Sequence, residues 1–253
     1  MTRVVVAGAT GRVGSVMMSG LAQQPDLEVV GGFGSANARE ELERLAPRAD
    51  VLVDFTTGAA APGLLLAAVQ AGLHVVSGTS GLASHALDDL DQALRKANRG
   101  GLWAANFAIG GALMMHFARI AARFMDAAEV IELHHDKKVD APSGTAVQTA
   151  RDIRAARGTD LPDPRVERWT LEGARGAVDG GVRIHSVRLP GFNAHQEVLF
   201  GSLGQMLSIR HDALGREAYL PGVALAVREV PKRVGLVRGL DALMGLGNLG
   251  SGS

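Results

Sequence analysis

"RVVVAGATGRVG", Arg3 to Gly14, places a β-branched run directly before three glycines spaced G-x-x-G-x-x-G, at Gly8, Gly11 and Gly14. Such a run is the pattern of a strand buried on both faces, as in a parallel sheet. "GSVMMSGLAQQ" after it reads as a helix ended by Pro25. A tight strand-to-helix turn requires residues without a Cβ, and a pyrophosphate must approach bare backbone N–H groups at a helix N-terminus. The spacing alone also fits a βα turn with no ligand. Its place between strand and helix at the start of the chain selects dinucleotide binding.

The same alternation continues outward. "LEVVGG" and "VLVDF" (Val51 to Phe55) read as strands. "APGLLLAAVQAG" reads as a helix with Pro62 near its start and Gly72 at its end, where those residues belong. "HVVSG" is a strand, "HALDDLDQALRKAN" a polar-faced helix and "GLWAAN" another strand. Alternation of this kind predicts a Rossmann-like, doubly wound parallel sheet with helices on both faces. After Asn106 the pattern changes. A helix ("GALMMHFARIAARFMD"), a strand ("EVIELHH") and a helix ("GTAVQTARDIRAARG") precede a proline-rich loop. Then "GVRIHSVRLP", "HQEVLFGS" and "GQMLSIRHDA" follow without helices between them, which predicts an α+β domain with a mostly antiparallel sheet. "REAYLPGVALAVREV" is a helix that returns to the first domain. The expected division is 1–106, completed by 216–246, for the dinucleotide, and 107–215 for substrate and oligomer contacts.

Bulk composition narrows the function classes. The 253 residues are 47% hydrophobic and 21% charged, enough for a substantial core. Lys+Arg and Asp+Glu both number 26, and zero net charge argues against a general binder of nucleic acid or anionic membrane. The chain has no cysteine, so neither disulfides nor thiol catalysis operate. No segment approaches the ~20 apolar residues of a membrane span, and the N-terminal apolar run is too short for a signal peptide. A soluble, cytoplasmic protein is expected. "GLGNLGSGS", 245–253, reads as a frayed tail, part of it added sequence.

In many dinucleotide sites an acidic residue ending the second strand clamps the adenosine ribose. Here "VVGGFGSANARE" offers Gly34 or Ser35 instead, with Arg12 and Arg39 nearby. Without the carboxylate a 2′-phosphate meets no like-charge repulsion, so the reading leans towards NADPH being accepted beside NADH. "SGTSG", Ser77 to Gly81, and "AANF", Ala104 to Phe107, end further strands of the same sheet. They are candidates for contacts to the nicotinamide ribose, carboxamide and ring, or ordinary loops of small residues.

"HHDKKVDAPSGTA", His134 to Ala146, gathers two histidines, two lysines and two aspartates beside a Pro-Ser-Gly turn. A metal site at His134, His135 and Asp136 is disfavoured, because adjacent strand residues point to opposite faces and no third ligand set has familiar spacing. A Ser143 nucleophile lacks the G-x-S-x-G elbow. A solvated charged loop remains the plain alternative. The fourth reading is an anion-binding, acid–base site. Ser143, Gly144 and Thr145 start a helix whose free N–H groups favour a carboxylate. Lys138 supplies a positive charge and a proton, and His134 exchanges a proton near neutral pH. Hydride transfer to C=C or C=N leaves a charge that a proton must neutralise, so a dinucleotide domain with this cluster suggests a reductase of a small carboxylate.

"EVIELHHDKKVDAPSGTA" resembles the substrate motif of the 4-hydroxy-tetrahydrodipicolinate reductase family, also called dihydrodipicolinate reductases, of lysine and diaminopimelate biosynthesis. "VAGATGRVG", "VLVDFT", "SGTSG", "AANFAIG", "VRLPGFNAHQEVLFG" and "SIRHDALGR" follow the family's order, so the resemblance covers nearly the whole chain. It implies that His134 is the acid/base residue and Lys138 the proton donor. It implies that His135, with the Ser143, Gly144 and Thr145 turn, holds the carboxylates of a cyclic substrate. Gly8, Ala9, Thr10, Gly11, Arg12 and Val13, then Gly78, Thr79 and Ser80, then Ala104, Ala105, Asn106 and Phe107, would line NADPH or NADH. The family is usually tetrameric through the second domain's sheet, and its two domains are expected to close on the ligands. Two departures are Gly34, where the family often has Asp or Glu, and Ala105, where many members have proline. Another two-domain NAD(P)-dependent dehydrogenase of an amino-acid-like carboxylate, or a nucleotide-sensing protein without catalysis, are the rival readings.

Overall fold

The computed structural model describes residues 1–246. The sequence reading of a frayed tail falls largely on 247–253, outside the described residues. By chain contacts the described residues divide into two compact units, Met1–Ile109 together with 216–246, and Gly110–Gly215.

The first unit opens with β1 (Thr2–Ala7), α1 (Gly14–Ala22), β2 (Leu27–Phe33), α2 (Ala38–Leu45) and β3 (Val51–Asp54). It continues through α3 (Ala61–Gln70), β4 (His74–Ser77), α4 (Ser84–Lys96) and β5 (Gly100–Trp103). The hydrophobic pattern explains these elements. Val4 to Val6 and Val51 to Val53 are fully buried, as strands covered on both faces must be. In α4, Leu87, Leu90 and Leu94 recur at helical spacing and are the buried residues, while Asp88, Asp89, Arg95 and Lys96 face water. Pro62 sits in the first turn of α3, where its missing N–H costs nothing, and Gly72 follows the helix at φ +85°.

The second unit contains α5 (Ile109–Ala122, its first residue in the other unit), β6 (Ala127–His134) and α6 (Gly144–Arg157). β7 (Ala177–Asp179), β8 (Val182–Arg188), β9 (Ala194–Ser202) and β10 (Gln205–Ala213) complete it. Its sheet runs β10-β9-β6-β8-β7. Every pairing is antiparallel except β6 with β8, which is parallel. Met114, Ala118, Val130, Ala150, Ile153, Ile184, Val198 and Phe200 form its core between sheet and helices.

The chain then returns to the first unit as α7 (Leu220–Glu229), β11 (Gly235–Arg238) and α8 (Leu240–Leu243). Leu220 packs against Gly20 of α1 in space that a Cβ at Gly20 would occupy. The first sheet runs β11-β5-β4-β3-β1-β2, all parallel. The chain leaves β1 for β2 on one side and for β3 on the other. That switch point, at the carboxyl ends of β1 and β3, is where open α/β sheets bind ligands.

Both sheets are of the expected kinds. Sequence reading left α2, β7, β11 and α8 without an element. α2 is mostly charged and buries only Leu42 and Leu45, and the others span four residues or fewer, too short for a periodicity to declare itself. Among the described residues no helix is long and apolar enough to cross a membrane.

Candidate active site

The glycine loop lies at the switch point of the first sheet. Gly8 adopts φ +76°, and a Cβ there would strike the Phe55 carbonyl at the end of β3. A Cβ at Gly14 would strike the Gly8 carbonyl. The two glycines let the turn fold onto itself, closed by Gly11 N–H to Gly8 O at 2.8 Å. Ala9 N–H is committed to Phe33 O at 3.0 Å. The N–H groups of Thr10, Arg12 and Val13 have no acceptor among the described residues. They sit at the start of α1, whose first turn carries no acidic residue. Uncommitted N–H groups on a helix N-terminus fit a pyrophosphate. Arg12 is exposed and has no ion pair with a described residue, whereas Arg39 pairs with Glu43 at 3.3 Å.

Beside this loop, Asp54 ends β3 fully buried. Its Oδ1 accepts from Thr56 N–H (3.0 Å) and Thr56 Oγ1 (2.6 Å), and its Oδ2 from Ser77 Oγ (2.7 Å) and Thr79 Oγ1 (2.9 Å). Four donors compensate the desolvation of a buried carboxylate. Trp103 Nε1 donates to Thr79 O at 2.9 Å. Thr79 is therefore internal, with hydroxyl, carbonyl and N–H all engaged; it shapes the Gly78–Ser80 loop from behind. Ser80 and Ala105 are exposed. Ala104 is buried, its N–H donating to Ser77 O at 3.1 Å. Asn106 Oδ1 accepts from Ala108 N–H. Phe107 is 2% exposed, its ring edge-on to Phe55 at 6.0 Å.

In the second unit the candidate acid–base cluster stands at the carboxyl end of β6. Glu132 and His134 lie two residues apart on a strand and so share a face. The parallel register sets His134 against Arg188 and Glu132 against Ser186 on β8. Glu132 is fully buried, and its carboxylate accepts several hydrogen bonds. They include those from His134 Nδ1 (2.5 Å), Arg188 Nη1 and Nη2 (both 2.8 Å) and Ser143 N–H (3.1 Å). Burial pushes its carboxyl up, but hydrogen bonds from His134, Arg188 and Ser186 outweigh that and lower it to about 2. Arg188 Nη2 also donates to Asp140 O at 2.8 Å. Lys138 Nζ donates to Asp140 Oδ1 and Oδ2 at 2.7 and 2.8 Å, holding that carboxyl below its usual range.

Ser143 is the N-cap of α6, its Oγ accepting from Ala146 N–H at 3.2 Å. With its own N–H on Glu132, only its hydroxyl proton is left for a ligand. The N–H groups of Gly144 and Thr145 have no acceptor among the described residues, and open space lies where a Gly144 Cβ would be. A helix start with two free N–H groups favours a carboxylate. His135 Nδ1 is enclosed without a partner. Ala141–Pro142 is a cis peptide bond leading into this turn.

Family models match both halves of the chain: "Dihydrodipicolinate reductase, N-terminus" over residues 2–107 and "Dihydrodipicolinate reductase, C-terminus" over 110–244. The chain belongs to the dihydrodipicolinate reductase family. It is 45% identical to the 4-hydroxy-tetrahydrodipicolinate reductase of Moorella thermoacetica, over 96% of this chain and 97% of that one. The Mycobacterium sp. (strain KMS) enzyme of the same name is also 45% identical, covering 96% and 99%. Among solved structures, the dipicolinate-bound dihydrodipicolinate reductase from Paenisporosarcina sp. TG-14 superposes with a TM-score of 0.87 at 35% identity, covering 96% of this chain and 99% of that one. An amine dehydrogenase from Mycobacterium smegmatis shares the fold alone, with a TM-score of 0.62 at 12% identity.

Within this reductase, sequence reading overlooked Glu132, Arg188 and Asp54. An acidic residue inside an apolar strand, two positions before a candidate acid/base, is a signal for Glu132. Arg188 has no local signal, because only the parallel register of β6 with β8 brings it to His134.

Proposed function

We propose that His134 is the acid/base residue and Lys138 the proton donor of this enzyme, with His135 and the Gly144 and Thr145 N–H groups holding the substrate carboxylates. The reaction is that of the family: NAD(P)H-dependent reduction of 4-hydroxy-tetrahydrodipicolinate to tetrahydrodipicolinate, with release of water, in lysine and diaminopimelate biosynthesis. One observation supports the residue roles above others. Arg188 joins Glu132, and through it His134 and Ser143, to the backbone carbonyl of Asp140, whose side-chain carboxylate in turn holds Lys138. A solvated charged loop has no need of such linkage.

The first unit is the dinucleotide-binding half in this reading, and Gly110–Gly215 the substrate half. The glycine loop fits a dinucleotide, because a Cβ at Gly8 or Gly14 would fill the turn and three N–H groups stand free. NAD(P)H, when bound, supplies a hydride. Thr10, Arg12 and Val13 N–H would hold its phosphates, and Asp54 keeps the Gly78–Ser80 loop in place. Eliminating water moves one proton off carbon and one onto the leaving hydroxyl. The hydride then requires one further proton. His134 serves the elimination, taking and returning a proton. Lys138 leaves Asp140 to give the proton that balances the hydride.

A coupled assay with freshly made substrate tests the assignment by loss of absorbance at the nicotinamide band. His134→Gln and Lys138→Ala are expected to lower turnover by ~10²-fold or more while NADPH binding persists. Turnover near wild type would reassign both residues. A crystal structure with NADPH and pyridine-2,6-dicarboxylate adds the geometric test: side chains of His134 and Lys138 in solvent, far from the bound diacid, would reject the roles.

The same reading includes a homotetramer in the cytoplasm. β10 is an edge strand whose first four residues, Gln205 to Ser208, are all exposed, and Met206 and Leu203 project from that hairpin. An exposed edge with apolar side chains is suited to burial by another copy. Light scattering after size exclusion decides: a monomer mass would reject the assembly.

A further inference from the structure

We propose that Glu132, gripped by Arg188, is a positioning residue of the reaction: it keeps a proton on Nδ1 of His134, so that Nε2 is the atom exchanging protons with the substrate. The inference rests on the reading of His134 as the acid/base residue. It adds which ring nitrogen does the work and what selects it.

Donors surround Glu132. The Ser186 hydroxyl is among them, because its bond lowers the carboxyl's pKa and so favours the ionised form. Arg188 contributes two N–H bonds and the Ser143 backbone one, and none of these groups can accept. A carboxylate surrounded by donors is held ionised and acceptor-only, in keeping with its depressed pKa. The 2.5 Å contact to His134 Nδ1 therefore has one assignment: Nδ1–H donates and Glu132 Oε2 accepts. This holds for neutral and protonated imidazole alike. In the neutral ring Nε2 then carries the lone pair, and in the cation it carries the transferable proton.

Arg188 makes the geometry rigid. Its side chain is 19% exposed and its two terminal nitrogens reach Glu132, Val187 O and Asp140 O. The fork fits the carboxylate in two parallel bonds, so Glu132 cannot rotate without breaking both. The carboxylate in turn holds Ser143, whose N–H leads into the turn bearing Gly144 and Thr145. One buried group thus orients the imidazole and anchors the helix start that faces the anion. A purely structural ion pair would need neither contact.

The first test uses the unaltered protein. Long-range ¹H–¹⁵N correlation with ¹⁵N-labelled histidine, above the imidazole titration, is expected to show His134 as the Nδ1–H tautomer; His134→Gln assigns the signal. An Nε2–H tautomer overturns the proposal, whether or not any variant folds. The second test is kinetic. Glu132→Gln is expected to lower kcat by about 10- to 100-fold with KM for 4-hydroxy-tetrahydrodipicolinate within about threefold, because a mispositioned acid/base costs rate more than binding. Glu132→Asp is too short by one methylene to restore it. If His134→Gln is slow while Glu132→Gln turns over like wild type, the positioning role fails and the acid/base assignment stands. If His134→Gln itself turns over normally, the underlying reading fails.

Discussion

Gly34 lies against Thr10: a Cβ at Gly34 would fall 2.8 Å from Thr10 Oγ1. The position that would carry an acidic ribose clamp is thus occupied by a glycine backed by a side chain of the glycine loop. Gly34→Asp, combined with Thr10→Ala to clear the contact, is expected to raise the ratio of kcat/KM for NADH over NADPH by about tenfold. That corresponds to ~1.4 kcal/mol of repulsion against a 2′-phosphate. An unchanged ratio would show that the adenosine end is selected elsewhere, with Arg12 the next residue to replace.

Gly14 tests the glycine loop itself. Its missing Cβ is required by the Gly8 carbonyl, which is backbone and cannot step aside. Gly14→Ala is expected to destabilise the protein by ~1–3 kcal/mol, as overpacking does, and to weaken NADPH binding. Urea denaturation and a fluorescence titration measure the two effects. A fully stable variant that binds NADPH normally would contradict the turn geometry.

Asp54 links strand ends to the loop of Gly78 to Ser80. Asp54→Ala leaves Ser77 and Thr79, both buried, without their acceptor. A loss of about 3 kcal/mol in stability is expected, since each unsatisfied buried donor costs ~1–3 kcal/mol. KM for NADPH should rise as well. A stable variant with unchanged KM would make the hub dispensable.

Glu132 also predicts an acid limb of stability. Its carboxyl lies near 2 in the folded protein against an ordinary 4.5. Stabilisation from a depressed carboxyl is fully present above the unfolded value and is lost as pH falls from about 4.5 towards 2. The amount at neutral pH is on the order of 3 kcal/mol. Thermal melts of wild type and Glu132→Gln should therefore differ most at pH 7 and converge below pH 3. A gap that stays constant with pH would mean that packing, not ionisation, is what Glu132 contributes.

Much of this was legible in the letters. The buried valine runs of β1 and β3, and the amphipathic pattern of α4, carry their own period, so strand and helix followed locally. The Ser143 cap and the proline and glycine punctuation of α3 are likewise decided by backbone chemistry within a few residues. The motif from His134 to Ala146 named the candidate acid–base groups because it gathers titratable side chains beside a Pro-Ser-Gly turn that opens a helix. Short or charged elements such as α2 and β11 escaped, since their stability comes from what they pack on.

Partnerships across the chain were a different matter. The Thr79 hydroxyl is bonded to Asp54 and the Phe107 ring lies edge-on to Phe55, partnerships that no local pattern announces. The pairing of Arg188 with Glu132 spans 56 residues and depends on a parallel register within a mixed sheet. Sequence by itself determined the longer, strongly patterned strands and helices, the glycine turn and the candidate reactive groups, because each depends on nearby covalent chain and side-chain pattern. Only the tertiary structure decided which nitrogen of His134 is held, which N–H groups stay free and which small residues face inward, because those depend on partners the chain must fold to meet.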